Sequence, residues 1–355
     1  MTFVYILIGI LVFGVLIASH ELGHFLTAKA CGVRVDEFSV GMGPAIWKKQ
    51  KGETLYALRG IPIGGYCAMA GEDSASDDPR AFTNQKPWKR ILILCAGATM
   101  NFLTGLLVIF LINLLSSGYY TVPVLTGFME GCPYEAADGL QAGDRFWTID
   151  GHRIYDTTDV GTFLSRGGDT YDIVVIRDGE KVELEDFYMV PRVYDDPERE
   201  YFGLNLGVDL EEATFARKLQ HTWDTTVQFS RSVWMGLGDL IHGRVAAKEL
   251  AGPVRIVGIM AETGEQSRSF GEGLVNILIL AALIAINLAI MNMLPIPALD
   301  GGRVFLLLVT WAIESITHRK LDPKYEGYIH MAGMVLLLGL MAFVLFNDVF
   351  QLVTQ

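Results

Sequence analysis

Four apolar runs dominate the pattern of hydrophobic and polar positions along this chain. They cover residues 3–19, 91–115, 275–293 and 331–346, and none of them contains Asp, Glu, Lys or Arg. Such runs are long enough to span, or nearly span, the hydrocarbon core of a bilayer as helices. The pattern therefore predicts a polytopic α-helical membrane protein with four transmembrane helices. An even number of spans places both termini on the same side.

Two further patterns lie between these runs. Alternating and β-branched residues at 35–41 and 54–59, each followed by Gly- and Pro-rich stretches, predict a β-hairpin region. Residues 118–210 alternate short strand patterns with turn residues, which predicts an inserted α+β domain. The predicted organisation is an N-terminal membrane half at 1–117, the insert at 118–210, and a C-terminal membrane half at 211–355. The last part opens with an amphipathic helix marked by Leu219, Trp223, Val227, Trp234, Leu237 and Ile241.

Composition agrees with a membrane protein, and charge orients it. Mean hydropathy is +0.34 and only 19% of residues are charged. Ten Lys and Arg fall between residues 29 and 90, so the positive-inside bias places that stretch in the cytoplasm and both termini outside. The net charge of −12 arises in the insert, since 116–216 holds 21 Asp and Glu against 7 Lys and Arg. An acidic external region favours no nucleic-acid partner.

The candidate chemistry lies at the end of the first apolar run. His20, Glu21 and His24 form the pattern His-Glu-x-x-His. Residues four apart share one face of a helix, so two imidazoles can bind one Zn²⁺ while the Glu beside them acts as a base. Ionisable groups are costly at membrane depth and persist there where they line a functional site. The motif thus predicts a zinc protease centre within the membrane.

A catalytic zinc usually has three protein ligands, so one is missing from this motif. The five other His are scattered along the chain, and the four Cys show neither metal-ligand spacing nor a favoured disulfide. Asp300 is the better candidate, because it follows the third apolar run in a segment with Pro295, Pro297, Gly301 and Gly302 that should break the helix. Irregular backbone at membrane depth is tolerated where it is buried in protein or lines a cavity.

These motifs resemble the site-2 protease family, in particular its bacterial RseP type, over nearly the whole chain. Beside the zinc motif, Asn292-x-x-Pro295-x-Pro297-x-Leu299-Asp300-Gly301 resembles the family's Leu-Asp-Gly segment. Residues 38–44 and 61–66 resemble its membrane re-entrant β region, and 124–151 resembles the PDZ domains of bacterial proteases. Residues 96–102 resemble its second-span motif, with Ala98 where Pro is usual.

The resemblance implies an intramembrane zinc metalloprotease of the bacterial inner membrane, with one extracytoplasmic PDZ domain and a zinc site near the cytoplasmic face. It implies single-span membrane substrates, such as anti-sigma-factor-like proteins and remnant signal peptides, cleaved during regulated intramembrane proteolysis. In this assignment Glu21 is the catalytic base, and the zinc ligands are His20, His24 and Asp300. Substrate contacts are assigned to Asn292, Pro295, Pro297, Gly64 and Gly65.

Two other classes of function stay open on the sequence alone. A divalent-metal transporter needs a polar route through the membrane, and few polar residues of the apolar runs can line one. The second is a PDZ-bearing membrane scaffold with a degenerate enzyme core. Absence of Glu21 or Asp300 would favour it, but both residues are present.

Overall fold

The computed structural model describes residues 2–72, 76–116, 118–136, 138–194, 199–244, 252–317 and 324–354. The chain divides into two compact units. The first comprises Met1–Ile112 and Phe229–Gln355, and the second comprises Asn113–Gln228. The predicted insert, 118–210, lies within the second unit.

Helices of the first unit carry most of its apolar sequence. In the described part of the chain, three helices are long and apolar enough to cross a membrane. The first three predicted spans coincide with them, which supports the expectation of a membrane protein. These helices are α1 (Thr2–Ala30), α2 (Pro87–Leu115) and α6 (Phe270–Asn292).

The fourth predicted span, 331–346, falls within a helix that runs over Lys324–Thr354. The described residues of that helix give only a shorter apolar stretch, Gly327–Gly339, so four spans stay a prediction.

The apolar pattern of the sequence did not predict two further helices of the first unit, because both are amphipathic. These two helices are α5 (Pro253–Gln266) and α7 (Asp300–Thr317), and the helix that contains the fourth predicted span is α8 (Lys324–Thr354).

Local sequence explains where α5 and α6 begin. Pro253 occupies the first turn of α5, where its missing N–H costs no helical hydrogen bond. At the start of α6, the Ser269 side chain accepts a hydrogen bond from the Glu272 N–H, as expected for a Ser-x-x-Glu capping sequence. Tyr5 and Ile277 are buried in the core shared by α1, α5 and α6, which fixes these helices against one another.

The β region of the first unit is a long hairpin of β1 (Val35–Lys51) and β2 (Thr54–Met69), joined at Gly52. Both strands extend beyond the predicted segments. Their pairing is irregular, so that one stretch of β1 has two neighbours: Ser39 pairs with Tyr66 and also with Ala57. The first part of β1 is therefore flanked on both sides by segments of β2.

The second unit is built on an antiparallel sheet in which burial alternates along the strands, as in β6, where Tyr171, Ile173 and Val175 are buried. The strand order is β10-β3-β4-β6-β7, with β5 paired to β4. Asp156 caps the helix α3 by accepting from the Asp159 N–H. The elements are β3 (Tyr119–Phe128), β4 (Arg145–Ile149), β5 (His152–Arg153), α3 (Thr157–Arg166), β6 (Thr170–Arg177), β7 (Glu180–Tyr188), β8 (Arg192–Val193), β9 (Glu200–Tyr201) and β10 (Leu204–Glu212).

The predicted amphipathic helix corresponds to α4 (Phe215–Ile241), and the boundary between the two units falls inside it. Within the second unit, its first half is anchored by Thr222, which accepts a hydrogen bond from the buried Asn113 amide. The sheet and helix content agrees with an α+β insert, and its assignment as a PDZ domain stays a prediction.

Candidate active site

Three potential metal ligands meet inside the first unit. His20 and His24 lie one turn apart on α1, and their Nε2 atoms are 3.1 Å apart. Asp300 Oδ2 lies 3.2 Å from His20 Nε2 and 3.3 Å from His24 Nε2. Among the described residues, this is the one group of three His, Cys, Asp or Glu side chains arranged to hold a metal ion.

The geometry and chemistry of this group fit zinc. In a tetrahedral site with Zn–N and Zn–O distances of 2.0–2.1 Å, neighbouring ligand atoms are roughly 3.3–3.4 Å apart. The observed separations of 3.1, 3.2 and 3.3 Å are close to that range. Asp300 Oδ2 is buried and has no hydrogen-bond partner, although two imidazole nitrogens lie close to it. A buried carboxylate oxygen in that state needs a cation, and two imidazoles plus a carboxylate form a common donor set of catalytic zinc.

The break between α6 and α7 positions Asp300. As predicted from the Pro and Gly residues, α6 ends at Asn292 and α7 begins at Asp300. The first turn of α7 packs directly onto the backbone of the break, since a Cβ at Gly301 would lie 2.3 Å from the Met293 carbonyl oxygen. A Cβ at Gly302 would lie 2.1 Å from the Ile296 oxygen. Only glycines permit this approach, which brings Asp300 to the two imidazoles.

The other nitrogen of each imidazole has its own polar neighbours. His24, which is only 6% exposed, has Nδ1 at 2.8 Å from the Ile93 carbonyl oxygen of α2. For His20, Nδ1 lies 3.4 Å from Asn101 Nδ2 and 3.5 Å from Asn292 Nδ2. These contacts orient both rings so that their Nε2 atoms face Asp300.

Two glycines let α1 and α2 approach closely enough for this arrangement. A Cβ at Gly97 would lie 2.3 Å from His24 Nε2 and 2.7 Å from His20 Cε1. A Cβ at Gly23 would lie 2.4 Å from the Ala96 carbonyl oxygen. Gly97 and Asn101 both belong to the stretch 96–102 that resembles a family motif, but no sequence pattern placed either of them at the site. The signal was present as small residues around position 97 and a polar amide one turn later.

Glu21 lies beside the hairpin. A Cβ at Gly65 would lie 3.4 Å from Glu21 Cγ and 2.9 Å from the Ser39 carbonyl oxygen, so the β2 backbone runs close to the carboxylate side chain. The predicted substrate residue Gly65 is thus adjacent to the predicted base. Its neighbour Gly64 has φ of +85°, and a Cβ there would lie 2.6 Å from Met42 Cε.

An ion pair connects the hairpin to the helix of Asp300. Arg303, three residues after Asp300, donates to Glu72, which follows β2, and both side chains are largely buried. The remaining predicted substrate residues lie in or at the edge of the break between α6 and α7. Asn292 is half-buried beside His20, and Pro295 is exposed. Pro297 packs against α8, where a Cβ at Gly333 would lie 2.3 Å from Pro297 Cβ.

Comparison with known proteins gives a consistent result. The family model for peptidase family M50 matches residues 8–340. The chain is 35% identical over 353 residues to a protein of Clostridium acetobutylicum named as a zinc metalloprotease, and the alignment covers 98% of each chain. It is 29% identical to the zinc metalloprotease RasP of Bacillus licheniformis, covering 97% of this chain and 98% of that one. The predicted resemblance and the predicted cofactor, zinc, are confirmed. This chain belongs to peptidase family M50, the site-2 proteases, and is a zinc metalloprotease of the membrane.

Proposed function

We propose that this protease hydrolyses peptide bonds in or next to the transmembrane segments of single-span membrane proteins. The observation that carries the proposal is the position of the His20, His24 and Asp300 donor atoms, which converge on a helix that is itself apolar enough to cross a membrane. A protease centre on such a helix meets substrates that lie in the bilayer. The family assignment favours this function over the transporter and the scaffold.

His20, His24 and Asp300 are assigned as the zinc ligands. When bound, zinc supplies a Lewis acid that polarises a peptide carbonyl and lowers the pKa of water. Glu21, on the same helix as both His, takes the proton of the attacking water on its carboxylate and later delivers it to the leaving amine. The carboxylate is held next to β2, so its reach is limited to groups presented between the hairpin and the ligands.

The hairpin supplies a place for an extended substrate. Residues Gly65 to Ala68 each pair with one residue of β1, and no second strand among the described residues pairs with them. An unpaired strand edge offers main-chain hydrogen bonds to a peptide of any sequence. A transmembrane helix shields its peptide bonds, so a strand edge beside Glu21 favours the unwound form that can be cut. The half-buried Asn292 is assigned to the substrate backbone, with Pro295 and Pro297 shaping the break beside it.

The class of substrate follows from the family resemblance. Anti-sigma-factor-like proteins and remnant signal peptides present a single apolar helix with a cytoplasmic N-terminus, which fits a zinc site near the cytoplasmic face of the bacterial inner membrane. The proposed topology places the basic stretch 29–90 inside the cell and the acidic insert, with both termini, outside. The insert, proposed as a PDZ domain, then acts on the extracytoplasmic part of the substrate.

Glu21→Gln tests the chemistry in purified protein reconstituted with a single-span substrate. We expect cleavage to fall by at least about 10²-fold, because the general base is lost, while about one zinc per chain is retained. Asp300→Ala should lose both cleavage and zinc. The matched control is Glu265→Gln on α5, whose carboxylate contacts only Thr2 among the described residues and should leave both unchanged. Normal turnover by Glu21→Gln contradicts the assignment.

The topology is tested by labelling single cysteines in intact cells. Because the chain has four free cysteines, the background carries Ala at Cys31, Cys67, Cys95 and Cys132. A cysteine at Asp178 should react with an impermeant thiol reagent added outside, and one at Lys49 should react only after permeabilisation. The reverse pattern contradicts the proposed orientation.

A further inference from the structure

Two side-chain amides converge on one nitrogen of His20, and they have different surroundings. Asn101 Nδ2 lies 3.4 Å from His20 Nδ1, and Asn292 Nδ2 lies 3.5 Å from it. We infer that Asn101 is the positioning residue of His20: its carbonyl oxygen accepts the Nδ1 hydrogen, fixes the ring with Nε2 toward the metal, and leaves Asn292 free for substrate. The inference rests on the proposed zinc site of His20, His24 and Asp300.

The ligand geometry determines which nitrogen of His20 carries hydrogen. Nε2 of His20 faces Asp300 Oδ2 and His24 Nε2, so it is the nitrogen that donates its lone pair to zinc. A neutral imidazole that ligates through Nε2 carries its hydrogen on Nδ1 and needs an acceptor there. For His24 that acceptor is the Ile93 carbonyl oxygen at 2.8 Å. Among the described residues, His20 Nδ1 has no such carbonyl within hydrogen-bonding distance and is approached only by the two amides.

Asn101 can supply the hydrogen-bond acceptor that the Nδ1 hydrogen of His20 needs. Its side chain is 1% exposed, and its Oδ1 is buried without a hydrogen-bond partner. A half-turn of the amide about χ2 exchanges oxygen and nitrogen at nearly the same positions, which brings Oδ1 to His20 Nδ1. That exchange satisfies the imidazole hydrogen and an oxygen that otherwise stays unpaired in the interior, where an unmade hydrogen bond is costly.

Location also favours Asn101 over Asn292 as the fixed partner. Asn101 lies in the middle of α2, one turn after Gly97, so it shares the helix face that packs on both imidazoles. Asn292 is the last residue of α6, is half-buried, and precedes an irregular break. A rigid, buried group suits orientation of a ligand, while a residue at a helix end beside the site suits contact with an incoming backbone.

The test compares zinc affinity, measured by competition with a chelator, in variants of the full-length protein. Asn101→Leu, similar in volume, removes the acceptor and should weaken zinc binding by about 10- to 100-fold, with cleavage lost in proportion. Asn101→Asp can accept but cannot donate, so it should keep zinc affinity near wild type. Asn113→Leu is the matched control, because it removes a second buried side-chain amide of α2, whose one hydrogen-bond partner among the described residues is Thr222. It should leave zinc affinity unchanged.

Asn292→Ala separates the two amides. It should raise the KM for substrate and leave zinc affinity unchanged. The inference is overturned if Asn101→Leu binds zinc like wild type, or if Asn101→Asp loses zinc as severely as Asn101→Leu, since the amide would then act by donating or by packing. His20→Ala tests the proposed function separately: if zinc affinity survives that change, the metal site itself is wrong. Asn101→Asp provides a decision even where Asn101→Leu fails to fold.

Discussion

Glycines around the proposed zinc site in the first unit permit close approach of the backbone, whereas turn glycines in the second unit reverse the chain in open space. In the first unit, a methyl group added at Gly97 would enter the space of the His24 ligand nitrogen, and one at Gly301 would enter the Met293 carbonyl. In the second unit, Gly179 sits in an Asp-Gly turn between β6 and β7 with φ of +85° and open space around its Cα. Gly97 and Gly301 thus serve close packing around the proposed zinc site, and Gly179 serves chain reversal.

This difference shows where each region is sensitive to mutation. Around the proposed zinc ligands, the distance between elements is set by the absence of side chains, so an added atom should displace a proposed ligand. In the insert, the core is formed by large side chains such as Ile173 and Leu125, which are fully buried. Its turn glycines Gly143 and Gly179 have open space around them, so a substitution there is opposed by the left-handed backbone and not by crowding. Function should therefore respond to small additions in the first unit and to deletions in the second.

The largest effect is expected for Gly97→Ala. The new Cβ would lie 2.3 Å from His24 Nε2, so the imidazoles must move from the ligand geometry. We expect zinc affinity and cleavage to fall by roughly 100-fold or more, measured by chelator competition and by turnover of a reconstituted substrate. The controls are Gly258→Ala on α5, which has open space around it, and Gly179→Ala in the insert. Equal zinc affinity in all three variants would contradict the claim that close packing at Gly97 sets the ligand geometry.

Deletion of 118–210, replaced by a short flexible linker, should have the next largest effect, and only on substrate choice. If the insert excludes substrates with bulky external domains, full-length substrates should become cleavable without prior trimming. Cleavage of trimmed substrates should change by less than about threefold, because no zinc ligand or base lies in the insert. Loss of trimmed-substrate cleavage in a protein that still binds zinc indicates that the insert docks substrates or supports the fold, and the exclusion hypothesis fails.

Ile173→Ala should affect the insert and spare the zinc site. Ile173 is fully buried on β6, so truncation to Ala leaves a cavity that costs about 2–5 kcal/mol of the insert's stability. Hydrogen exchange of the β6 amides in the intact protein should accelerate accordingly, while zinc affinity stays at the wild-type value. Val193→Ala, at an exposed position, is the control and should change neither. Weaker zinc binding by Ile173→Ala means that the two units are energetically coupled.

The smallest effect concerns pH. Burial lowers the pKa of His221, whose ring stacks on Tyr120 in the second unit, and the nearby Asp224 opposes that shift. The unfolded chain then binds a proton more tightly than the folded one, so the second unit loses stability as pH falls below about 6.5. His221→Gln should flatten this dependence, seen as a smaller change in the hydrogen-exchange rates of the second unit between neutral and mildly acidic pH. An unchanged profile in His221→Gln assigns the dependence to another group.

Much of the candidate site followed from local sequence. The spacing of His20 and His24 fixes both rings on one helix face, because helical geometry depends only on residues a turn apart. The position of Asp300 followed from the break that Pro295 and Pro297 introduce into an apolar run. Three spans were visible as uninterrupted apolar runs. The amphipathic helices α5 and α7 were missed, because polar residues interrupt their apolar positions and leave no continuous apolar run.

The sequence by itself determined the protease family, the zinc motif and the division into an apolar membrane part and an acidic insert. These features depend on composition and on short-range periodicity. Only the tertiary structure decided that Asn101 faces His20, that Gly97 makes room for both imidazoles, and that Gly65 lies beside Glu21. Those contacts join residues far apart in the chain. They depend on how closely α1, α2 and the hairpin pack, and that distance is set by the sum of many side-chain contacts rather than by any local pattern.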